Sequence, residues 1–530
     1  MKKYKYLFPF LIALLSITAT AQLKLPAIIG DNMVLQQGQK DPVWGWADPG
    51  EKISVAFRDQ RYEATAGADG KWMIHLRASA AGGPFSMVIT ANSQTIRLSN
   101  IWIGEVWLAS GQSNMEFGIQ TDSCGKAAIE TATDSLIHFF VVPMTFSLHP
   151  EKDITAPANS QNGKWVVCSP ELLATPGFAW HGFSAVGYYF ARELRKSTNA
   201  PVGMIGSYKG GTPAQAWMST AGLSAQPAFS RYLDMHQQYL DHYEDAKRDY
   251  PAKKGAFQEA LKKWDKASGE PRPKEPLAPE GGFNAPTNLY NAMIAPLVPY
   301  GIRGVIWYQG ESNGDRLEEA VTYRQLFPAL IANWRHHWQQ GNFPFLFVQL
   351  ANFRTPAQLP SEGIWPWVRE AQLKTLDIPR TGMAVITDVG NAKDIHPTDK
   401  LDVGLRLSLV ARATVYGEKI VYTGPLYRSM KVSGSQVILR FTGVGTGLAA
   451  GKNADTAALR GFGVAGSDGR FEWANARISG NEVIVESSKV PHPVAVRYNW
   501  ADNPPGNLYN KEGLPASSFR TDNYPASVQP

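Results

Sequence analysis

Apolar residues recur along the chain with two different spacings, and the change from one to the other divides it into regions. From residue 22 to about 100, apolar and polar positions alternate in short runs, as at Ile53, Val55 and Phe57. Turn residues such as Asp69-Gly70 separate these runs. Alternation with a period of two is typical of half-buried strands. We therefore predict a small, sandwich-like β domain over residues 22–100.

From residue 101 to about 417, each apolar run is followed by a loop and a helix-like segment, which is typical of a mainly parallel α/β sheet. Five runs predict five strands: Glu105–Ala109, Val202–Ser207, Gly304–Tyr308, Phe345–Leu350 and Met383–Thr387. Ligands of open α/β sheets bind beyond the carboxyl ends of the strands. The loops after these five runs are therefore expected to open on one crevice.

A chain of 530 residues is too long for one compact core, so further domains are expected. Two more segments complete the organisation. Residues 225–282 form a charge-dense insertion in which Phe257, Leu261 and Trp264 recur at helical spacing, so we predict a helical excursion on the surface. Beyond residue 417 the alternation returns, as in Val437-Ile438-Leu439. It predicts a second β-rich domain over residues 418–530.

The amino terminus has the pattern of a secretory signal. Lysines at positions 2, 3 and 5 precede the apolar run 6–17 and the small residues Ala19-Thr20-Ala21. We expect residues 1–21 to be removed and the remainder to be exported to the periplasm or the cell exterior. The apolar run is shorter than the roughly 20 residues of a membrane helix, and no later run reaches that length, so no membrane span is expected.

Charge and cysteine content exclude several classes of function. The formal charge of +6 includes the three lysines of the signal, and no cluster of Lys and Arg remains to follow a nucleic-acid backbone. Cys124 and Cys168 are too few for a disulfide scaffold or a cysteine zinc site. One bridge between them and two free thiols both remain possible. No His, Asp and Glu cluster has metal-ligand spacing, so we expect no metal and no other cofactor.

The first two candidate loops supply a nucleophile and backbone donors. Ser113 lies in the loop after the first predicted strand of the α/β region, where a helix start leaves its backbone N–H free for an oxyanion. Most serines at such a place only cap the helix, so Ser113 alone decides nothing. After the second strand, Gly210 and Gly211 allow close approach of the backbone to a ligand, although paired glycines also serve ordinary turns.

The other two loops supply a neutral donor and a base. Asn313 offers an amide that can stabilise an oxyanion without pairing with a carboxylate, and Glu311 beside it is a possible proton donor or acceptor. Asp394 and His396 lie two residues apart, on the same side of an extended stretch. An Asp beside a His fixes the tautomer that leaves Nε2 free as a base. The four loops together, at one edge of one sheet, indicate a serine hydrolase.

These blocks resemble the SGNH (GDSL-like) hydrolase superfamily and, within it, the sialate O-acetylesterase family, along essentially the whole mature chain. Gly111-Gln112-Ser113-Asn114-Met115 is similar to the nucleophile motif of the family, and Gly310-Glu311-Ser312-Asn313 to the block that supplies the oxyanion Asn. The resemblance implies an α/β fold: a three-layer α/β/α SGNH domain with a mainly parallel, five-stranded sheet, flanked by amino-terminal and carboxy-terminal β-rich domains.

The resemblance also implies roles for individual residues. Ser113 is expected to be the nucleophile, His396 the base and Asp394 the residue that orients it. The superfamily spaces this Asp and His by three, so Asp388 remains an alternative to Asp394. The expected oxyanion hole consists of Ser113 N–H, the N–H of Gly210 or Gly211, and Asn313. The expected substrate contacts are Gln112, Glu311 and two tryptophans, Trp365 and Trp367, which follow the loop 355–363 and are expected to expose stacking surfaces.

The function that follows from the resemblance is the removal of acetyl groups from an acetylated carbohydrate, through an acetyl-serine and without a cofactor. A sialate O-acetylesterase is expected first. An acetyl xylan esterase or hemicellulose deacetylase is the alternative among enzymes. A non-catalytic carbohydrate-binding protein is the alternative of another class, because the β-rich flanks and 16 tryptophans suit sugar stacking. The sequence predicts no oligomeric state.

Overall fold

The structure, a computed structural model, describes the chain in eight ranges. They are residues 22–92, 94–157, 160–175, 180, 182–358, 360, 363–452 and 458–526. The predicted signal segment, residues 1–21, lies outside the described residues. Within the described ranges, no helix is both long enough and apolar enough to cross a bilayer.

The amino-terminal region forms strands where the sequence alternates. In the strand Lys52–Phe57, the side chains of Ile53, Val55 and Phe57 are buried while those between them are not. Most of these strands pair antiparallel with one another. The strands are β1 (Val34–Gln36), β2 (Pro42–Trp46), β3 (Lys52–Phe57), β4 (Gln60–Thr65), β5 (Lys71–His75) and β6 (Gly82–Ala91).

One long strand, β7 (Gln94–Gly111), joins this region to the α/β region. Its first half pairs antiparallel with β6, and its second half lies in the middle of the α/β sheet. Strands of both regions therefore belong to one 11-stranded sheet, and one apolar core extends through both regions. The carboxyl end of β7 pairs with a neighbouring strand on each side, which fixes the position of the residues that follow it.

The α/β sheet contains the five predicted strands and two more. The strands after β7 are β8 (Ile137–Val141), β9 (Trp165–Val167), β10 (Val202–Tyr208), β11 (Gly304–Tyr308), β12 (Phe345–Gln349) and β13 (Thr381–Val385). Their order is β13-β12-β11-β7-β10-β8-β9, and only the β8–β9 pair is antiparallel. The predicted number of five strands was therefore wrong. A loop rather than a helix follows β8, so the alternation of strand and helix does not mark it.

Helices pack on both faces of this sheet. Trp107 on β7 contacts Phe190, while Trp307 on the neighbouring β11 contacts Phe327 and Trp334. Trp107 lies opposite Gly304, three residues before Trp307, so the two indoles point to opposite faces. The helices are α1 (Ser113–Glu116), α2 (Gly125–Glu130), α3 (Pro170–Ala174), α4 (Ala185–Thr198), α5 (Thr220–Ser224), α6 (Ser230–Asp241), α7 (Tyr243–Lys263), α8 (Leu317–Trp338), α9 (Trp365–Lys374) and α10 (Lys400–Thr414).

The segment 225–282 contains the helices α6 and α7. No residue of α7 is buried, and the side chains of Phe257, Leu261 and Trp264 are only half-buried. This stripe therefore covers little of the α/β core.

The carboxy-terminal region has an apolar core of its own. Two four-stranded sheets, β14-β15-β20-β19 and β18-β17-β21-β23, and the pair β16–β22 surround it. The strands are β14 (Leu426–Ser433), β15 (Gln436–Thr442), β16 (Leu448–Ala450), β17 (Phe462–Ala465), β18 (Phe471–Trp473), β19 (Asn475–Ser479), β20 (Glu482–Glu486), β21 (Ala495–Tyr498), β22 (Leu508–Asn510) and β23 (Phe519–Arg520).

A buried arginine on α9 ties this region to the α/β sheet. The guanidinium of Arg369 donates to the carbonyls of Leu350 and Ala351, which follow β12, at 2.9 and 2.7 Å. It also donates to the carbonyls of Ala501 and Asp502 at 2.7 and 2.9 Å. The four carbonyls belong to two separate loops, so one side chain holds these loops together.

We predict that Arg369→Met destabilises the protein, because it leaves buried carbonyls without donors at a cost of about 1–3 kcal/mol each. The temperature of unfolding, measured by scanning calorimetry, should fall by about 5 °C or more. Arg248→Met is the control, because Arg248 is 70% exposed on α7 and pairs only with Asp245 and Asp249 of its own helix. Equal unfolding temperatures for the two variants would contradict this role of Arg369.

Candidate active site

Ser113 stands in a tight turn between β7 and α1 that only a glycine permits. Gly111, the last residue of β7, has a φ of +136°, and a Cβ there would lie 2.1 Å from the carbonyl oxygen of Tyr308. The residue that occupies the N-cap position of α1 is Gln112, not Ser113. Ser113 is the first residue of the helix, so its N–H has no acceptor within the helix.

Ser113, His396 and Asp394 are in hydrogen-bond contact, in that order. His396 Nε2 lies 2.9 Å from Ser113 Oγ, and His396 Nδ1 lies 3.2 Å from Asp394 Oδ1. Asp394 Oδ1 also accepts the backbone N–H of His396 at 2.9 Å, which holds the segment of three residues from Asp394 to His396 in place. With the proton on Nδ1, Nε2 is free to accept the Ser113 proton.

The surroundings favour the neutral imidazole. Burial lowers the pKa of His396, while the Asp394 carboxylate opposes this shift and the ammonium of Lys400 adds to it. The side chain of Asp394 is 58% exposed and that of His396 is 24% exposed. Because water screens an exposed carboxylate, the effect of Asp394 on the imidazole is weaker than that of a buried partner.

Asp388, the alternative to Asp394, lies in a different contact. Its carboxylate accepts two bonds from Arg406, at 2.6 and 2.8 Å, and one from the Tyr509 hydroxyl at 3.2 Å. These bonds use the side chain to join α10 to the carboxy-terminal region. The structure brings Asp394, and not Asp388, to His396.

The two candidate glycines differ in their distance from Ser113. A Cβ at Gly210 would lie 3.3 Å from Ser113 Cβ, whereas a Cβ at Gly211 would meet no atom within 4 Å. The N–H of Gly210 donates to Glu116 Oε2 at 2.5 Å. Burial raises the pKa of Glu116, and the charge of Lys209 opposes this shift. Gly210 is therefore the glycine beside Ser113, and its N–H is already engaged by a carboxylate.

Asn313 is fully buried and held from three sides. Its Oδ1 accepts from Ala214 N at 2.9 Å and from Gln309 Nε2 at 2.8 Å. Its Nδ2 donates to Gln215 Oε1 at 3.1 Å. One of the two amide hydrogens is thus committed to Gln215, which leaves one for an oxyanion.

The four expected substrate contacts are buried, so the prediction of exposed stacking tryptophans was wrong. Trp365 packs against Phe353, and Trp367 packs against Trp500. Both indoles lie on α9, whose first turns face the interior. Gln112 accepts the N–H groups of Gly310 and Ser312, and Glu311 accepts from the Asn114 amide, so both side chains bind protein groups. The expectation that Gln112 and Glu311 contact substrate therefore stays a prediction, and the structure assigns both side chains to contacts within the protein.

Sequence reasoning missed three residues near the catalytic contact. The half-buried ring of Trp180 lies 4.8 Å from the His396 ring at 78°. Glu116 contacts Gly210, and the fully buried Lys400 donates to Asn114, the neighbour of Ser113. Glu116 stands one helical turn after Ser113, and that spacing was the one available signal. Trp180 and Lys400 reach the site only through the tertiary fold.

Neither cysteine is paired: Cys124 is exposed, Cys168 is buried, and both are free thiols. In the described ranges, no group of three or more His, Cys, Asp or Glu side chains is arranged to hold a metal ion. The arrangement of Ser113 and His396 has the parts of a nucleophile and its base.

Comparison with known proteins decides the family. The model of a carbohydrate esterase family, described as sialic acid-specific acetylesterase, matches residues 259–412, which include Asn313, Asp394 and His396. The sialate O-acetylesterase of Rattus norvegicus is 30% identical over 467 residues, 82% of this chain and 81% of that protein. The chain belongs to the sialate O-acetylesterase family.

Two further proteins are similar to this chain. The Homo sapiens sialate O-acetylesterase is 28% identical over 455 residues, which cover 79% of this chain and 76% of that protein. The crystal structure of a carbohydrate acetylesterase from Xanthomonas citri is 38% identical, with a TM-score of 0.78. The superposition covers 95% of this chain and 100% of that chain. The likeness therefore includes the β-rich regions as well as the α/β region.

We predict that Asp394→Asn lowers kcat/KM of this family member by about 10²-fold, less than the roughly 10⁴-fold loss seen for a buried triad Asp, because Asp394 is exposed. A base must be neutral to accept a proton, so kcat/KM should fall as the pH drops through the pKa of His396. Burial places this pKa below the ordinary value for histidine. Removing the carboxylate lowers this pKa further, and the acid limb should move to lower pH. Initial rates with 4-nitrophenyl acetate across pH measure both effects.

Asp388→Asn is the matched control. It should keep most of kcat/KM and leave the acid limb in place, since Asp388 contacts Arg406 and Tyr509. A larger loss for Asp388→Asn than for Asp394→Asn would reverse the assignment.

Proposed function

We propose that this protein is a carbohydrate O-acetylesterase that hydrolyses acetyl esters on sugars through an acetyl-serine, with O-acetylated sialic acid as the first candidate substrate. The observation that supports it most directly is the 2.9 Å contact between Ser113 Oγ and His396 Nε2, with Asp394 on the other ring nitrogen. Membership of the sialate O-acetylesterase family supplies the substrate class.

In the proposed reaction, Ser113 Oγ attacks the acetyl carbonyl carbon while His396 Nε2 takes the hydroxyl proton. The tetrahedral intermediate collapses, the bond to the sugar oxygen breaks, and His396 returns the proton to that oxygen. The same base then takes a proton from water, which attacks the acetyl-serine. The bond between the acetyl carbon and Ser113 Oγ breaks, His396 returns the proton to Oγ, and acetate leaves. Every proton transfer passes through His396, so the reaction needs no cofactor.

The oxyanion is assigned two donors from the start: the N–H of Ser113 and the second amide hydrogen of Asn313. The N–H of Gly210 is a third donor only when the Glu116 carboxylate releases it. Since donors held in place before the reaction stabilise developing charge most, Ser113 and Asn313 are assigned the larger share.

The leaving sugar is assigned to the side of His396, because this base must reach the departing oxygen. Trp180 lies beside the His396 ring and is half-buried. An indole can cover the apolar face of a sugar ring. Trp180 therefore replaces the buried Trp365 and Trp367 as the proposed stacking residue.

A broader hemicellulose or xylan deacetylase is the second candidate. The Xanthomonas citri protein, at 38% identity, is a carbohydrate acetylesterase, a class that includes such enzymes. The contact between Ser113 and His396 argues against a purely carbohydrate-binding protein. We also propose that the protein is exported, on the signal pattern of residues 1–21.

We predict a short acyl preference: kcat/KM for 4-nitrophenyl acetate should exceed that for the octanoate ester by at least about tenfold. The exposed large apolar side chains of the described ranges lie in the 225–282 segment, on α8 and in the carboxy-terminal region, and none belongs to the loops that carry Ser113 and His396. The reaction should also release acetate from 9-O-acetylated sialic acid, measured with an acetate-coupled assay.

Ser113→Ala is the blank for this panel and should lose at least about 10³-fold in kcat/KM. Preference for octanoate would contradict a carbohydrate deacetylase. Acetate release from acetylated xylan but not from the sialoside would select the second candidate.

A further inference from the structure

A buried polar network links the backbone on both sides of the catalytic contact. Asn114 directly follows Ser113, and Ile395 directly precedes His396. The Nδ2 of Asn114 donates to the carbonyl of Ile395 at 3.0 Å and to Glu311 Oε1 at 2.6 Å. Its Oδ1 accepts from Lys400 Nζ at 2.5 Å. The network therefore uses both amide hydrogens and the oxygen of one side chain.

The two charged members are as buried as the amide. Exposure is 1% for Asn114, 3% for Glu311 and 0% for Lys400. The ammonium of Lys400 also lies over the rings of Phe117 and Tyr308, 4.6 and 5.5 Å from their centroids. Burial raises the pKa of Glu311 and lowers that of Lys400 to about 7, and in both cases the charge of the other opposes the shift.

The charges fix the orientation of the amide between them. An ammonium must face an acceptor, and a carboxylate must face a donor. If the Asn114 amide were turned over, its NH₂ group would face Lys400 and its oxygen would face Glu311, so both contacts would become repulsive. The correct orientation leaves the second amide hydrogen directed at Ile395. Glu311 and Lys400 therefore determine which atom of Asn114 meets the backbone before His396.

We propose that Asn114, held by Glu311 and Lys400, is a positioning residue that sets the distance between Ser113 Oγ and His396 Nε2. This inference rests on the proposed function, because it gives the network a role in that same site. Ser113 and His396 are 283 positions apart and belong to different loops. Asn114, which follows Ser113, donates its amide hydrogen to the carbonyl of Ile395, which precedes His396. This hydrogen bond joins the two loops.

The test compares kcat and KM of Asn114→Asp with those of wild type, using 4-nitrophenyl acetate. The substitution keeps the size and the acceptor for Lys400 but replaces the donor to Ile395 and Glu311 by an oxygen. We expect kcat to fall about 10²-fold, as for a displacement of about 1 Å between reacting groups, while KM changes less than about threefold. A kcat within about threefold of wild type would overturn the proposal.

Asn510→Asp is the matched control for a merely structural role. Asn510 is also fully buried, donates to the carbonyls of Thr423 and Gly443, and accepts the Leu514 N–H, but it lies in the carboxy-terminal region. It should lower the unfolding temperature and leave kcat unchanged. If both Asp variants lose kcat in proportion to their loss of unfolding temperature, the network is structural and the proposal fails.

A second pair of variants serves if Asn114→Asp does not fold. Glu311→Gln retains an acceptor for Asn114, whereas Glu311→Met has a similar length and none. We expect Glu311→Gln to keep a kcat at least about tenfold above that of Glu311→Met, and equal values would overturn the proposal. Ser113→Ala is assayed beside every variant. If Ser113→Ala stays active, the proposed function fails. If Ser113→Ala is inactive while Asn114→Asp is fully active, only the positioning role fails.

Discussion

The structure of this site depends on one hydrogen bond, 2.9 Å long, between Ser113 Oγ and His396 Nε2. A contact between side chains 283 positions apart requires that two loops be placed with an accuracy of a few tenths of an ångström. One side is set by the turn at Gly111, which brings the chain against the Tyr308 carbonyl. The other is set by the short segment in which Asp394 binds both the ring and the backbone of His396.

The rest of the fold supports these two loops. Strand β7 extends from the amino-terminal β region into the middle of the α/β sheet, so the end that carries Ser113 is packed between β10 and β11. The loops after β12 are held to the carboxy-terminal region by Arg369. The flanking regions therefore contribute strand pairing and hydrogen bonds that hold the loops at the carboxyl edge of the sheet. The likeness to the Xanthomonas citri structure covers 95% of the chain and so includes these flanking regions.

Much of the fold could be predicted because it follows from local periodicity. The five apolar runs form strands, and four loops at their carboxyl ends carry Ser113, Gly210, Asn313 and His396. Strand β8 was missed because no helix follows it. The choice between Asp394 and Asp388 could not be made from spacing, since it depends on where Arg406 of α10 lies.

The side-chain environment was less predictable than the strands. Trp365 and Trp367 follow a loop and were expected to be exposed, but α9 turns both indoles into the interior. Glu311 was expected at the substrate, and the structure places it against Asn114, the residue after Ser113. Lys400 is a single lysine at a helix start in sequence, and only the fold reveals that it is fully buried. Such contacts join residues that are distant in sequence, so no local pattern records them.

The central claim is that Ser113 carries the acetyl group during turnover, and its direct test is rapid quenching of the enzyme with an acetyl ester, followed by peptide mass spectrometry. The account predicts a mass increase of one acetyl group on the peptide that contains Ser113. Acetylation of another residue during turnover, with Ser113 unmodified, would contradict the account.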